Sequence, residues 1–302
     1  MISPVNSEKF VPAAGALPVK DVGRLLLRCA DRSGLVAAVT SFLADAGANI
    51  VSLDQHSTEQ TGGMFMQRTV FHLPGLAAAR DDLARDFAEQ VAGKFGMDFR
   101  LTEAAKPKRV AIMASTEDHC LLDLLWRNRR GDLGMSVAMV IANHPDLADQ
   151  VRPFGTPFFH IPAHKEIRDA AEQRQLDLLH GNVDLVVLAR YMQILTPRFL
   201  QTVDCPMINI HHSFLPAFIG AAPYRRAKER GVKLVGATAH YVTAELDEGP
   251  IIEQDVVRVD HRHTVEDLVR LGADVERATL SRAVRWHCED RVVQYGNQTV
   301  VF

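Results

Sequence analysis

The apolar positions of the first hundred residues follow two different periods. Two segments, residues 35–46 and 77–95, carry apolar residues at steps of three and four, which predicts an amphipathic helix in each. Short apolar runs bounded by turn residues predict four strands, at residues 24–29, 49–56, 63–73 and 97–102. The resulting order, βαββαβ, is the ferredoxin-like arrangement.

A different pattern begins after residues 103–109, a small and charged segment containing Pro107 that we interpret as a linker. Nearly continuous apolar runs, typical of strands buried on both faces, follow at residues 109–115, 136–143, 183–190 and 206–213. Helical segments at residues 121–129 and 165–179 lie between these runs, which predicts a doubly wound, mostly parallel sheet. Two more strands, a long helix and a terminal edge strand or packing tail are predicted at residues 233–242, 251–259, 264–289 and 292–302.

The chain is therefore predicted to be an α/β protein of two domains. The ferredoxin-like domain spans residues 22–102, and the larger domain, in which we expect the catalytic site, spans residues 110–302. A length of 302 residues favours two domains over one. The hydrophobic content of 47% and the charged content of 24% are those of a soluble globular protein with material for two cores.

Charge, cysteine spacing and the absence of long apolar runs narrow the class of protein further. The net charge of -3 offers no electrostatic reason to expect a nucleic acid or an anionic membrane as partner. The four cysteines are scattered without a close pair, which favours reduced thiols over a zinc site or a disulfide scaffold. The first residues do not resemble a signal peptide, and no apolar run is long enough to cross a bilayer, so we expect a cytoplasmic protein.

Two polar residues stand at the end of an apolar strand and suggest chemistry. Asn209 and His211 are two positions apart, so their side chains project from one face of the strand. Ligand crevices of open α/β sheets form at such carboxyl ends of strands. A further candidate, Asp247, lies in a turn between two predicted strands. A lone strand histidine is more often structural and a turn carboxylate is more often solvated, so the pattern alone leaves both alternatives open.

The predicted ferredoxin-like domain resembles an ACT domain, a small module that often binds amino acids. The resemblance rests on Asp-Arg-Ser-Gly-Leu at residues 31–35 and Gly-Ala-Asn-Ile at residues 47–50. It implies an effector site, with glycine or methionine as candidates, near Asp31, Arg32, Gly34, Leu35 and Asn49. Backbone N–H groups at a helix start suit the carboxylate of an amino acid. The alternative, a domain used only for contacts between subunits, stays open.

The larger domain resembles the formyltetrahydrofolate-dependent transformylases over residues 108–261. The strand end Asn-Ile-His at residues 209–211, with Ser213, Leu215 and Pro216, and the loop at residues 240–250 carry the resemblance. It implies that Asn209, His211 and Asp247 form the catalytic trio, without a metal and without a cofactor. The folate pocket that it implies comprises Tyr191, Met192, Gln193, Ile194, Leu195, Thr238, His240, Thr243 and Glu245. The chain departs from the family pattern at Ala222 and Ala244.

The three residue types of the trio suit attack on a formyl carbonyl. The carbonyl oxygen becomes an oxyanion, which hydrogen-bond donors stabilise where its charge develops. The Asn209 amide and the His211 ring can donate such bonds, while Asp247 can exchange a proton with the nucleophile or orient His211. The sequence leaves open which of His211 and Asp247 accepts the first proton.

The nucleophile is indicated by a loop that lacks glycine. Transformylases that act on a phosphorylated amine carry a glycine-rich turn after the first strand of this domain. No glycine occurs here between Arg109 and Arg130, and the carboxylates of Glu117 and Asp118 would repel a phosphate. Water is therefore the favoured acceptor of the formyl group.

An ACT domain ahead of a transformylase domain resembles one branch of this family, the formyltetrahydrofolate deformylases, over nearly the whole chain. The resemblance implies hydrolysis of 10-formyltetrahydrofolate to tetrahydrofolate and formate, in the setting of one-carbon balance and purine synthesis. It also implies a homo-oligomer, either a dimer or a tetramer. Two alternatives stay open: a transferase that uses another amine acceptor, and a folate sensor without catalysis.

Overall fold

The computed structural model describes residues 19–216 and 223–302, so Ala222 lies outside the described residues. The first domain contains four strands and three helices, the last two helices joined by a π-helical turn at Ala88–Ala92. These elements are β1 (Val22–Ala30), α1 (Leu35–Asp45), β2 (Asn49–Ser57), β3 (Met64–His72), α2 (Leu76–Phe87), α3 (Gly93–Phe95) and β4 (Asp98–Glu103). The sheet has the order β2-β3-β1-β4, with antiparallel neighbours. The predicted ferredoxin-like arrangement is confirmed.

The core of this domain explains where its helices form. Helix α1 begins after Gly34, which has a φ of 92°, and its face of Leu35, Val39 and Leu43 is buried in the core. The single helix predicted over residues 77–95 is instead interrupted by the π-helical turn. Val91 and Ala92 within this wider turn are both buried.

The second domain is a three-layer α/β structure with a seven-stranded sheet in the order β11-β10-β9-β8-β5-β6-β7. Its strands are β5 (Lys108–Ala114), β6 (Met135–Ala142), β7 (Phe158–His160), β8 (Leu185–Leu188), β9 (Met207–His211), β10 (Leu234–Tyr241) and β11 (Ile251–Arg258). Its helices are α4 (His119–Arg129), α5 (Ala148–Val151), α6 (Arg168–Leu179), α7 (Pro197–Thr202), α8 (Pro223–Arg230) and α9 (Val265–Cys288). The five strands from β9 to β7 are parallel, and β10 is antiparallel to both of its neighbours. The predicted doubly wound, mostly parallel sheet is confirmed.

Several short elements differ from the prediction. Strand β7 and helices α5, α7 and α8 are too short to show a hydrophobic period, and the sequence did not indicate them. The connection between the domains is residues 104–107, shorter than the predicted linker, because β4 extends to Glu103 and β5 begins at Lys108. Within the described residues, no helix is long and apolar enough to span a membrane.

The C-terminal tail folds back onto the first domain. It forms a hairpin of β12 (Val292–Tyr295) and β13 (Gln298–Val301). Val293 of the hairpin packs against Leu26 and Met66 on the sheet face opposite the helices. The hairpin therefore belongs to the contact between the two domains.

A buried carboxylate joins the two domains at the end of α9. Asp290 is 1% exposed and accepts hydrogen bonds from Lys108 Nζ at 2.5 Å and Thr102 Oγ1 at 2.7 Å. Arg24 and Arg100, from β1 and β4, lie 3.4 and 3.1 Å from its oxygens. Burial alone would raise the pKa of Asp290, but the charges of Lys108 and Arg100 and the hydrogen bonds from Lys108 and Thr102 hold it below its usual range. The ionised carboxylate is thus compensated by groups of β1 and β4 in the first domain and by Lys108 at the start of β5.

Replacement of Asp290 by Asn should lower the free energy of unfolding by about 3–5 kcal/mol, because it leaves the surrounding cations without their buried counter-charge. The measurement is urea-induced unfolding. Asp98→Asn is the matched control, since Asp98 pairs with Arg28 at 2.7 Å where both side chains are exposed. That control should lose less than about 1 kcal/mol. Equal losses in the two variants would contradict the role assigned to Asp290.

Candidate active site

The carboxyl ends of β8 and β9 border a cavity of about 480 Å³. Three segments line it: residues 188–195 after β8, residues 209–212 at the end of β9, and residues 240–247 after β10. Parallel strands bring their carboxyl ends to one sheet edge, which is where open α/β sheets bind ligands. The loop after β10 lies close to its own strand because it contains Gly249, where a Cβ atom would lie 1.8 Å from the Tyr241 carbonyl oxygen.

The structure brings Asn209, His211 and Asp247 together at this cavity. Nδ1 of His211 lies 3.1 Å from Oδ2 of Asp247, and the backbone of Asp247 has a φ of 59°. His211 is 6% exposed, and its Nε2 has no hydrogen-bond partner among the described residues. A carboxylate can only accept, so Nδ1 donates to Asp247, and Nε2 is the ring nitrogen left unpaired.

A second histidine, His240, orients Asn209. Nδ1 of His240 lies 2.9 Å from the Tyr241 carbonyl oxygen, which can only accept, so Nδ1 carries the proton. Nε2 therefore accepts a hydrogen bond from the Asn209 amide at 3.2 Å. An amide has two N–H groups, so the second one of Asn209 remains available to a ligand.

The Asp247 carboxyl is an ionised group throughout the physiological range. Burial alone would raise its pKa, but the hydrogen bond from His211, with the His240 ring nearby, holds the pKa well below its ordinary value of 3.8. Oδ1 of Asp247 lies 3.7 Å from Nε2 of His240. The carboxylate is thus placed between two imidazole rings and is a poor proton acceptor.

Most of the residues predicted for the folate pocket line the cavity. Met192 and Ile194 are 56% and 66% exposed, and they form an apolar wall that is open to solvent. The other predicted residues on its lining are Tyr191, Gln193, Leu195, His240, Thr243 and Glu245. Tyr191 is buried and accepts a hydrogen bond from Gln175 of α6, so it holds the segment after β8 against that helix.

Thr238 does not belong to the cavity lining, which corrects its assignment to the pocket. Its side chain is fully buried, and its hydroxyl donates to the Ser213 carbonyl at 2.9 Å. The same hydroxyl accepts from the Leu215 backbone at 3.0 Å and from Gln254 Nε2 at 2.9 Å. All of its hydrogen-bonding capacity is used to hold the segment after β9 against β10 and β11.

The predicted effector residues of the first domain lie at the start of α1 and of β2. Leu35 is 2% exposed and packs in the domain core, so its side chain cannot contact an effector. Arg32 donates to the Lys94 carbonyl at 2.7 Å and lies over the Phe95 ring. Gly34 and Asn49 are exposed, and Asp31 is half-buried. The effector site stays a prediction for these surface residues.

A buried polar cluster beside the cavity was not found from the sequence. Glu276 of α9 is 2% exposed and accepts a hydrogen bond from the Tyr224 hydroxyl at 2.6 Å. His119 Nε2 and Arg190 Nε lie 2.9 and 3.4 Å from its other oxygen. Gly272 makes room for this contact, since a Cβ atom there would lie 1.9 Å from the Tyr224 oxygen. One feature of the sequence indicates this cluster: Arg190 ends the apolar run at residues 183–190.

Part of the same cluster is the one metal-ligand group found among the described residues. Ligand atoms of His119, Cys120 and Glu276 lie within 4.8 Å of one another. Both Glu276 oxygens already have partners, and the Arg190 guanidinium is adjacent. Burial raises the pKa of the Cys120 thiol well above its ordinary value, so the thiolate that a metal requires is disfavoured. The cluster is better described as a hydrogen-bonded ion pair.

The fold and the site define the class of protein. A family model of formyl transferases matches residues 108–284, and an ACT domain model matches residues 23–85. The chain thus combines an ACT domain with a formyl transferase domain.

Similar proteins narrow the class. A formyltetrahydrofolate deformylase of Mycobacterium tuberculosis (strain ATCC 25618 / H37Rv) is 76% identical over 93% of this chain and 91% of its own length. One of Bacillus subtilis (strain 168) is 51% identical over 94% of each chain. The crystal structure of a formyltetrahydrofolate deformylase from Pseudomonas syringae pv. tomato superposes with a TM-score of 0.87 at 46% identity, covering 93% of this chain and 94% of that one. The chain belongs to the formyltetrahydrofolate deformylase family.

Replacement of Thr238 by Val should destabilise the protein by about 1–3 kcal/mol, because a methyl group removes the three hydrogen bonds of the hydroxyl, two of which involve buried backbone groups. Thermal unfolding measures this loss. Thr243→Val is the control, because the Thr243 hydroxyl donates only to the Glu245 carbonyl in the exposed loop. If Thr238→Val loses no more stability than Thr243→Val, the buried hydroxyl has no structural role.

Proposed function

We propose that the chain hydrolyses 10-formyltetrahydrofolate to tetrahydrofolate and formate at the cavity bordered by β8 and β9. The pairing of His211 with Asp247 at 3.1 Å, beside an Asn209 amide held by His240, is the observation that carries the proposal. The family of the chain supports the substrate.

The first step of the proposed mechanism is attack of water on the formyl carbon. The oxygen of water bonds to this carbon, and the carbonyl oxygen becomes an oxyanion. The free N–H of Asn209 is available to stabilise that charge, and its position is set by His240 before the substrate binds. A preset donor of this kind is worth about a hundred- to a thousandfold in rate.

We assign the first proton transfer to His211. Its Nε2 has no other partner and belongs to a ring that lines the cavity. Asp247 is a weak proton acceptor because the pKa of its carboxyl lies well below the ordinary range, and its role is to orient and stabilise the His211 imidazolium. His211 then returns the proton to N10, the bond between N10 and the formyl carbon breaks, and the remaining hydroxyl proton leaves with formate to solvent.

The proposed folate pocket uses the remaining predicted residues as walls. Met192 and Ile194 present exposed apolar surface that suits an aromatic pterin ring. Backbone groups of residues 191–195 and 243–247 supply the hydrogen bonds for the ring edges. No step of this mechanism is assigned to a metal or a cofactor.

Water is the proposed acceptor, which distinguishes the protein from a transferase. No glycine-rich turn follows β5, and α4 begins at His119, which is engaged by Glu276. A phosphorylated amine therefore has no backbone cradle at this position. Formate release without an added amine separates the hydrolase from the transferase, and binding without release would indicate a sensor.

Replacement of Asp247 by Asn should lower turnover at least about a hundredfold while folate affinity changes little. The amide has no charge to stabilise the His211 imidazolium, and it does not fix the orientation of the ring as the carboxylate does. The measurement is formate release from 10-formyltetrahydrofolate, with binding followed by calorimetry. Glu248→Gln, in the same loop but not on the cavity lining, is the matched control. Full turnover of Asp247→Asn would disprove the assigned site.

The pH profile tests whether Asp247 is the base. Because the pKa of Asp247 is held below its ordinary value of 3.8, a carboxylate base at this position would give no loss of turnover on acidification from pH 7 to pH 5. We expect turnover to fall across this interval, because we assign the first proton transfer to another group. A flat profile with intact protein would assign the first proton transfer to Asp247 instead.

We further propose the regulation and setting that the family suggests. An amino-acid effector, glycine or methionine, is proposed at the half-buried Asp31 and the exposed residues Gly34 and Asn49, and the subunits are proposed to form a dimer or tetramer. The cytoplasm is the proposed location, and formate supply for purine synthesis is the proposed role. Calorimetric titration with each amino acid tests the effector, and absence of heat with both would remove it.

A further inference from the structure

Arg190 lies two residues beyond the end of β8, next to the strand that carries His211. Strands β8 and β9 are parallel, and their last paired residues are Leu188 and Asn209. Arg190 has a φ of 62°, a left-handed conformation that is rare for a long side chain. Its side chain is 13% exposed and lines the same cavity as the trio.

The guanidinium of Arg190 has donors to spare. Among the described residues, its Nε and Nη1 are buried without a hydrogen-bond partner, and its ion pair is the 3.4 Å contact between Nε and Glu276. Buried donors are normally satisfied, and an arginine carries five N–H groups. A buried cation with this many unused donors indicates a partner that is absent from the free protein.

Glu276 does not fill that role. Its Oε1 accepts from Tyr224 and its Oε2 contacts His119 at 2.9 Å, which is shorter than the contact with Arg190. Glu276 thus supplies a counter-charge that keeps Arg190 buried, but it leaves the donors of the guanidinium free. The arrangement holds a cation at the wall of the cavity.

His212, the first residue after β9, lies next to the proposed base. The rings of His211 and His212 are 5.2 Å apart. Burial, together with the charge of Arg190, lowers the pKa of His212 to about 4, so His212 is neutral near pH 7. Arg190 therefore supplies the fixed positive charge on this side of His211.

We propose that Arg190 is the residue that binds the formate product. This inference rests on the proposed hydrolysis, in which a neutral formamide becomes first an oxyanion and then a carboxylate. Formate is a small planar anion that matches the paired N–H groups of a guanidinium. The same cation disfavours a protonated amine in this position, in accord with water as acceptor.

The test is binding of ¹³C-formate to protein saturated with tetrahydrofolate, followed by NMR line broadening, alongside formate inhibition of turnover. Arg190→Met should weaken formate binding about ten- to a hundredfold, because a charge-assisted hydrogen bond is lost. Glu276→Gln should instead tighten it, because Arg190 loses its competing counter-charge. A structural role alone would weaken binding in both variants. Arg198→Met, at an exposed arginine of α7, is the matched control.

Should Arg190→Met fail to fold because Glu276 is left unpaired, the double variant Arg190→Met with Glu276→Gln removes both charges together. A folded double variant that binds formate as tightly as the wild type would overturn the proposal. So would a wild-type protein that releases formate in the assay but does not bind it in the NMR measurement, and the proposed hydrolysis would then still stand. Absence of both release and binding in the wild type would refute the hydrolysis and the formate site together.

Discussion

The carboxylate of Asp247, held between the rings of His211 and His240, is the interaction on which the site depends. A partly buried carboxylate is costly unless it is hydrogen-bonded, and here the hydrogen bond from His211 offsets that cost. The same bond has a second consequence: once Asp247 accepts from Nδ1 of His211, Nε2 of that ring is left without a partner among the described residues. The carboxylate thereby sets the tautomer of the residue that we propose as the base.

The neighbouring residues Asn209 and His240 are likewise oriented by hydrogen bonds within the protein. The Tyr241 carbonyl defines the protonated nitrogen of His240, and His240 in turn defines the orientation of the Asn209 amide. Both ring nitrogens of His240 are therefore engaged within the protein, while Asn209 keeps one N–H available to the ligand. A site built in this way is preorganised, so little reorganisation is needed when charge develops on the substrate.

Helix α9 connects this site with the ACT domain. Along its length, Glu276 pairs with Arg190 at the cavity, His287 accepts or donates a hydrogen bond with the Tyr241 hydroxyl at 2.8 Å, and the helix ends beside Asp290. Asp290 is bound by cations of β1, β4 and β5. A displacement of the ACT sheet would therefore act on the end of a helix that packs against β9 and β10. The two domains share a rigid element, which is a physical basis for coupling between them.

The sequence by itself predicted the two folds of the chain and most of their longer strands and helices, and it placed Asn209 and His211 on one face of a strand. Hydrophobic periods are local, and the proposed trio occupies two short segments whose residue types suit the chemistry. Only the tertiary structure decided that Thr238 supports a loop and does not line the pocket, that His240 orients Asn209, and that Arg190 and Glu276 meet beside them. It also decided the contact of Asp290 with Lys108, which are 182 positions apart. These features depend on which side chains are brought together across strands and domains and which hydrogen bonds they satisfy, and no local pattern encodes that choice.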